Sequence, residues 1–455
     1  MSGLLISAGV IVLGLVSLVF WLKSPWMALL GWVAALSVQY EALPDFRLAL
    51  SDLFVPALAL TLLFGKTAAG DKKLEKRTSL PALIAIFAFV FIVLGTTVTY
   101  FRLGTIPRWT WLNKDIGLLD LMVCFFAITR LVDSAEKRNT VVSVFVVSGA
   151  ALNILALAGG FARYFLGIPN VMMYGSISMR LAGLMANPSA YGGFISCVLL
   201  IQLCLLFGES TLLRLPRWAQ GANAALLGVG CFMTISRGSL LGLIAGLLAL
   251  VAFYRKKAAV QLMGLALSTV LIVVLLIYWR GLTADVSDDF WTVVFGETTI
   301  QDRMDANRAA LDMLFESPTN PIIGSGVGTF LARSEQKLGF ELIIHNEFLW
   351  LLVETGVVGF VLFSAMMLRA LRNCLYVARA RSGDSAIAVG ILCGIVGILA
   401  WIQAGEGLWH RHVWLLLALS EVSYRLHVNA RPESAMLRPR HEPRIAIGHG
   451  AVEAG

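Results

Sequence analysis

The chain has 455 residues, of which 58% are hydrophobic and 14% are charged, with a formal net charge of +8 and a mean hydropathy of +0.80. This composition excludes an ordinary water-soluble domain, in which about a quarter of the residues are charged. The positive charge does not indicate nucleic-acid binding, because the Lys and Arg residues are spread over short loops between apolar runs. Runs of roughly 17 to 23 apolar residues are long enough to cross a bilayer as helices. The sequence therefore predicts an all-α polytopic membrane protein.

About 12 to 13 transmembrane helices are predicted by these apolar runs, which we mark by residue number in chain order. The runs are 3–22, 25–42, 48–64, 80–101, 115–132, 140–159, 188–207, 222–235, 238–254, 259–279, 347–369, 386–404 and 412–426. They divide the chain into four regions. These regions are an N-terminal part of the helix bundle (1–279), one large extracytoplasmic loop (280–346), the C-terminal transmembrane helices (347–426) and a disordered cytoplasmic tail (427–455).

Basic residues gather in alternate loops, which indicates the side of the membrane. They cluster at 66–77, 130–138, 214–217, 255–257, 369–381 and 425–444. Cytoplasmic loops carry an excess of Lys and Arg, so this side is predicted to be the cytoplasm. The opposite, outer side then holds the segments 41–47, 102–114, 160–187, 236–237, 280–346 and 405–411.

The long outer loop is predicted to contain helices. Apolar and basic residues recur there at helical spacing, at Met304, Arg308, Leu311 and Phe315, and Pro318 follows them. This pattern predicts an amphipathic helix over 302–316 that Pro318 ends.

Three arginines on the predicted outer face are candidate binding residues, namely Arg180, Arg237 and Arg303. Arg237 lies between two apolar runs, where a charge is costly and a phosphate headgroup would lie at the same depth. A planar guanidinium binds phosphate oxygens through two parallel hydrogen bonds. The alternatives are a snorkelling arginine at a hairpin tip for Arg237, a loop-capping residue for Arg180 and a solvated helix face for Arg303.

His345 is the candidate proton acceptor on the same face. It lies where the outer loop re-enters the membrane, and an imidazole there can take a proton near neutral pH. A lone histidine is more commonly structural, and that alternative stays open. The six cysteines form no metal-type pair, and neither a metal ion nor a cofactor is predicted. Gly324–Gly328 has no preceding strand and no following Lys, so we do not interpret it as a phosphate loop.

Several short motifs occur in a fixed order over about residues 180–370. They are Leu184-Met-Ala-Asn-Pro188, Thr234-Ile-Ser-Arg-Gly-Ser239, Arg303 with the helix up to Pro318, Gly324-Ser-Gly-Val-Gly328, His345-Asn-Glu-Phe-Leu and Glu354-Thr-Gly-Val-Val-Gly359. In these motifs the chain resembles the bacterial O-antigen ligase and polysaccharide polymerase family, which includes O-antigen and exopolysaccharide polymerases. The first ~140 residues match that family only in hydropathy.

The resemblance implies a GT-C-like fold and a metal-independent, inverting glycosyltransferase of the bacterial inner membrane. The donor would be a glycan on undecaprenyl pyrophosphate, and the acceptor would be lipid A core for a ligase or another glycan for a polymerase. The reaction would occur on the periplasmic face. The family's functional residues carry over to Arg180, Arg237 and His345, and also to Arg303, with the arginines binding pyrophosphate and Arg237 and His345 acting in catalysis.

Two other functions remain open from the sequence. A transporter or flippase of lipid-linked glycans would also need buried arginines, and it would predict polar groups deep in several spans and a repeated half-structure. A peptidoglycan-type glycan polymerase shares the hydropathy and the lipid pyrophosphate chemistry, but the His345-Asn346 motif fits it less well.

Overall fold

The computed structural model describes residue 19 and residues 22–43, 46–64, 79–173, 180–185, 187–281, 297–338, 343–380 and 385–430. The helices are α1 (Pro25–Ala34), α2 (Val55–Phe64), α3 (Leu80–Leu103), α4 (Ile116–Leu131), α5 (Ala135–Leu166), α6 (Pro188–Phe207), α7 (Arg217–Met233), α8 (Arg237–Gly281), α9 (Glu297–Phe315), α10 (Asn320–Ile323), α11 (Thr329–Leu338), α12 (Glu347–Arg379), α13 (Ser385–Trp401) and α14 (Arg411–Asn429). This architecture confirms the predicted all-α polytopic membrane protein.

Five of the described helices are long and apolar enough to cross a membrane, and they are α3, α5, α6, α12 and the first part of α8. Each predicted apolar run from 48–64 onward overlaps a described helix, and the runs 238–254 and 259–279 both fall within α8. The first run, 3–22, lies almost wholly outside the described residues. The predicted tail at 427–455 begins inside α14, which continues to Asn429, and residues 431–455 lie outside the described part of the chain.

One predicted span was partly wrong. The run 25–42 forms a helix only as far as Ala34. The strand β1 (Gln39–Leu43) follows and pairs in antiparallel fashion with β2 (Phe46–Ala49). Hydropathy counts apolar side chains but does not register that a backbone can satisfy its hydrogen bonds in a hairpin instead of a helix. The short sheet therefore forms a turn on the predicted outer side.

The central element of the bundle is α6. In the most apolar stretch of α6, 89% of the residues are buried inside the protein, whereas the corresponding share in α3 is 33%. Other parts of the protein therefore surround α6 on nearly all sides. It packs against α5, α7, α8 and α13. Large apolar side chains on the outer helices are exposed, including Phe89, Leu248 and Leu368. Such exposure suits a lipid solvent, which is as apolar as these side chains.

The loop helix α9 extends over Glu297–Phe315, close to the predicted 302–316. Met304, Leu311 and Phe315 are exposed, whereas the small residues Ala306 and Ala310 are buried. Spacing reveals that a helix has a face but not which face packs. Met313 and Leu314 are buried too, so α9 packs through both small and large side chains.

The glycine-rich segment after α10 closes a break in α12. The helix bends at Gly356, whose φ of +66° favours glycine. The backbone N–H groups of Ser325 and Gly326 donate to the carbonyls of Val353 and Glu354 that the break leaves free, at 2.8 and 3.1 Å. Gly328 N–H donates to the Glu354 carboxylate at 2.8 Å. These contacts explain the glycines as a structural joint between the loop and the bundle.

Candidate functional site

Four helix N-termini meet at one end of the bundle, on the predicted outer side. The indole of Trp401 at the end of α13 donates to Ser189 Oγ at 3.1 Å, and Ser239 Oγ in α8 donates to the Ser189 carbonyl at 3.1 Å. The first amide of α12, at Glu347, donates to the Ile402 carbonyl at 3.0 Å. The α14 helix starts in the same segment, at Arg411. The positive ends of these helix dipoles favour an anion nearby.

Arg180 lies beside the start of α8. Its Nε donates to the Thr234 carbonyl at 3.1 Å, and the neighbouring Leu181 N–H donates to the Met233 carbonyl at 2.8 Å. Two segments that are more than fifty residues apart in sequence are thus hydrogen-bonded together. The structure therefore places the half-buried Arg180 next to the turn that presents Arg237.

Arg237 is the first residue of α8, and the turn before it is strained. Ile235 has a φ of +48°, a conformation that is rare for a β-branched residue. Ser236 then caps the helix, with its Oγ accepting from Ser239 N–H at 3.3 Å. The side chain of Arg237 is exposed at the helix end. A strained turn that projects an arginine from a bundle is typical of a functional position.

Arg303 reaches the same region from the loop helix α9. Burial lowers the pKa of its guanidinium, and the positive charge of Arg237 lowers it further. Its Nε is buried and has no hydrogen-bond partner among the described residues. An anion placed near both guanidinium groups would offset their repulsion and give the orphan donor an acceptor.

His345 completes the group, two residues before α12. Burial lowers the pKa of its imidazole, the charge of Arg303 lowers it further, and the Glu406 carboxylate acts in the opposite direction. An imidazole with a lowered pKa is neutral at neutral pH and can accept a proton. The structure thus brings Arg237, Arg303 and His345 together and fixes Arg180 to the adjacent backbone.

The sequence did not single out Glu406 and Lys114. Lys114 Nζ lies 3.6 Å from Glu406 Oε2 in an ion pair, and the Lys114 side chain is only 4% exposed. Each residue lies in a predicted outer segment that holds other charged residues, Arg102 and Arg108 beside Lys114 and Arg411 beside Glu406, and nothing local distinguishes either of them. Their proximity is purely tertiary, because nearly three hundred residues separate them in the chain.

No group of three or more His, Cys, Asp or Glu side chains within the described ranges is arranged to hold a metal ion. The predicted metal independence is not tested by this geometry and stays a prediction. A separate cavity of about 480 Å³ lies at the far end of α6, beside an ion pair between Glu209 and Arg217. A 20-residue helix spans about 30 Å, so this cavity is distant from the arginines.

Part of the chain matches a known protein family. Residues 222–364 match the family described as O-antigen ligase. This segment of the chain is similar to that family. The match covers α7, α8, the outer loop and the first half of α12, and it contains Arg237, Arg303 and His345. A search of curated proteins found no match to the chain.

This similarity confirms the resemblance drawn from the short motifs. It supports a multi-pass membrane protein of the kind that ligates or polymerises glycans, with lipid-linked glycan substrates. Arg180, Lys114 and Glu406 lie outside the matched segment, so their connection to it is structural. The roles of the individual site residues remain predictions, as does the GT-C-like fold assignment.

Proposed function

We propose that this protein is a glycosyltransferase that moves a glycan from undecaprenyl pyrophosphate to an acceptor hydroxyl at the periplasmic face of the bacterial inner membrane. It would act as an O-antigen ligase on lipid A core or as a closely related polysaccharide polymerase. The observation that carries the proposal is the juxtaposition of Arg237 and Arg303, whose charges repel each other, with the neutral imidazole of His345.

The arginines bind the pyrophosphate of the donor. Arg237 and Arg303 approach from two different elements, and the orphan Nε of Arg303 gains an oxygen acceptor when the ligand enters. Arg180 supports the turn before Arg237 and contributes its charge. The helix N-termini around the site add partial positive charge without side-chain entropy. As the pyrophosphate departs, these fixed charges stabilise the negative charge that develops on it.

His345 acts on the acceptor. Its neutral imidazole takes the proton of the acceptor hydroxyl while that oxygen attacks the anomeric carbon. The new C–O bond forms on the face opposite the pyrophosphate, whose C–O bond breaks, and the pyrophosphate leaves with the electron pair. The anomeric configuration is inverted. Pyrophosphate is a good leaving group whose charge the arginines offset, so the step requires neither a metal ion nor a cofactor.

Glycan transfer in isolated membranes tests the proposal. Membranes of a strain that lacks the gene hold the native lipid-linked glycan and the native acceptor, and purified protein is added to them. Arg237→Ala should slow transfer by about 100-fold or more, because removing one donor to a developing charge costs about 10²–10³ in rate. The matched control is Arg308→Ala, which removes an exposed arginine of α9 on the same face and should leave transfer unchanged.

Two results would contradict the proposal. One is transfer by Arg237→Ala at the wild-type rate in protein that is folded by size-exclusion chromatography. The other is translocation of the lipid-linked glycan across the bilayer without any transfer, which would indicate a flippase.

The periplasmic location of the site has a separate test. The six native cysteines are buried, so an introduced cysteine is labelled against a low background. A membrane-impermeant maleimide applied to intact cells with a permeabilised outer membrane should label Glu316→Cys. It should label Arg214→Cys, at the predicted cytoplasmic end, only after lysis. The reverse pattern would place the arginines in the cytoplasm and exclude the proposed location.

A further inference from the structure

Lys114 is a buried cation enclosed by tryptophans. Its Nζ lies 4.8, 4.7 and 4.4 Å from the ring centroids of Trp109, Trp350 and Trp409. The residue lies in the π-helical turn Thr110–Asp115 that precedes α4. Burying an ammonium group is costly unless an opposite charge pairs with it. Cation–π contacts offset only part of this desolvation cost. Glu406 provides the opposite charge at 3.6 Å.

Glu406 is held close to His345 by the backbone on both sides of it. The Glu347 N–H donates to the Ile402 carbonyl at 3.0 Å, and the Gly407 N–H donates to Glu347 Oε2 at 2.6 Å. Glu406 immediately precedes Gly407, which is hydrogen-bonded to Glu347, and His345 lies two residues before Glu347. The two segments are thus held close together. The half-buried Glu406 carboxylate is paired with Lys114 and lies near enough to His345 for its charge to act on the imidazole.

We propose that Glu406, fixed in place by Lys114 and its tryptophan enclosure, is a positioning residue that orients the His345 imidazole and stabilises its protonated form during transfer. This inference rests on the proposed function, in which His345 takes the acceptor proton. The Lys114 side chain cannot leave its enclosure without breaking three ring contacts, so its charge holds the carboxylate at one place.

The charges around the two groups give the reason for this role. When His345 takes a proton it becomes a cation beside Arg303, which opposes protonation, whereas Glu406 favours it. Glu406 in turn faces Lys114 and the buried carboxylates of Glu347 and Glu354. Without Lys114 three carboxylates would share this region, and Glu406 would lose the cation that holds its carboxylate in place.

A purely structural ion pair makes a different prediction. Loss of a structural pair lowers the yield of folded protein but leaves the pH dependence of the remaining activity unchanged. A positioning role changes the pH dependence, because the carboxylate acts on the proton that His345 carries. The pH profile of glycan transfer therefore separates the two roles.

The experiment measures glycan transfer between pH 5 and pH 8 in membranes that lack the native protein. Glu406→Gln should lower the rate at pH 7 on the order of tenfold to a hundredfold, as loss of a group that orients a functional histidine does. It should also move the acidic limb of the profile to lower pH by about one unit, because the pKa of His345 falls when the opposite charge is removed. Glu406→Asp should restore part of the rate, and Lys114→Met should lower the rate at pH 7 as Glu406→Gln does, because the Glu406 carboxylate is no longer held in place.

The matched control is Glu316→Gln, which breaks the ion pair with Arg333 at 2.7 Å on the same outer loop. It should change neither the rate nor the pH profile. The inference is overturned if Glu406→Gln keeps the wild-type acidic limb, whatever its rate, while wild-type protein transfers glycan and His345→Ala does not. That result leaves the proposed function standing. If wild-type protein transfers no glycan at all, the proposed function fails and this inference fails with it.

Discussion

Replacing Arg303 with glutamine should make the ligand-free protein more stable and the ligand-bound protein less stable than wild type. In the free protein the Arg303 guanidinium is half-buried, repels Arg237 and leaves its Nε without a partner among the described residues. Glutamine removes the charge and the orphan donor but keeps a polar side chain of intermediate length. A side chain that destabilises the free protein is expected at a binding site, where the ligand offsets that cost.

The size of both effects can be estimated. Two unit charges several ångströms apart near a protein surface repel by about 1–2 kcal/mol, and solvent around the exposed Arg237 reduces this to about 1 kcal/mol. Ligand at 100 times its Kd stabilises wild type by about 2.7 kcal/mol. Loss of a charged hydrogen bond weakens binding about 10- to 100-fold. The same ligand concentration then stabilises Arg303→Gln by only about 0.4–1.4 kcal/mol.

Thermal unfolding in detergent, with and without undecaprenyl pyrophosphate, measures both states. The Tm of Arg303→Gln should exceed that of wild type by about 1–3 °C without ligand and should be lower than that of wild type with ligand. Arg308→Gln is the matched control, since it removes an exposed arginine from the same helix, and its Tm should follow wild type in both conditions. A lower Tm for free Arg303→Gln together with an unchanged ligand response would make Arg303 structural and refute the reasoning.

Three further predictions concern stability and pH. Gly356→Ala should cost about 3 kcal/mol or more of unfolding free energy, because φ is +66° and a Cβ would clash with the Ile322 carbonyl. The control Gly104→Ala, at a φ of +72°, places its Cβ in open space and should cost only about 1 kcal/mol. Arg411 donates two hydrogen bonds to the Asp52 carboxylate, at 2.7 and 2.6 Å. Asp52→Asn removes the opposite charge and should cost about 3 kcal/mol of unfolding free energy, measured by thermal unfolding. Adding Arg411→Met should recover most of that loss. His345 must be neutral to accept the acceptor proton, and its pKa is lowered. The transfer rate should therefore stay high as pH falls to the ordinary histidine pKa of about 6.5 and decline only below that pH. A decline in rate centred above about pH 6.5 would contradict this prediction.

The spans could be predicted because a helix in lipid needs apolar side chains whichever neighbour it packs against. The hairpin β1–β2 could not, since the residues after Ala34 are apolar enough for a span and only the pairing partner makes them a strand. The spacing predicted that α9 is an amphipathic helix, but not that Ala306 and Ala310 lie on its buried face. Which face packs depends on the shape of the surface it meets, and that is a tertiary property.

The candidate site was partly visible in the sequence. An arginine between two apolar runs is costly, so Arg237 was conspicuous, and the alternation of basic loops placed Arg180, Arg303 and His345 on the same side. Lys114 and Glu406 lie on that side as well, but charged residues are ordinary in outer segments, so their positions in the sequence do not mark them as functional. Only the fold reveals that Lys114 is buried among tryptophans and paired with Glu406.

The central claim is that the two repelling arginines form the pyrophosphate site. A cryo-electron microscopy map of the protein with undecaprenyl pyrophosphate tests it most directly. We expect density for both phosphate groups between the guanidinium groups of Arg237 and Arg303, with the Arg303 Nε donating to a phosphate oxygen. Phosphate density beside Arg217, in the cavity at the opposite end of α6, with none at the two arginines, would contradict the claim.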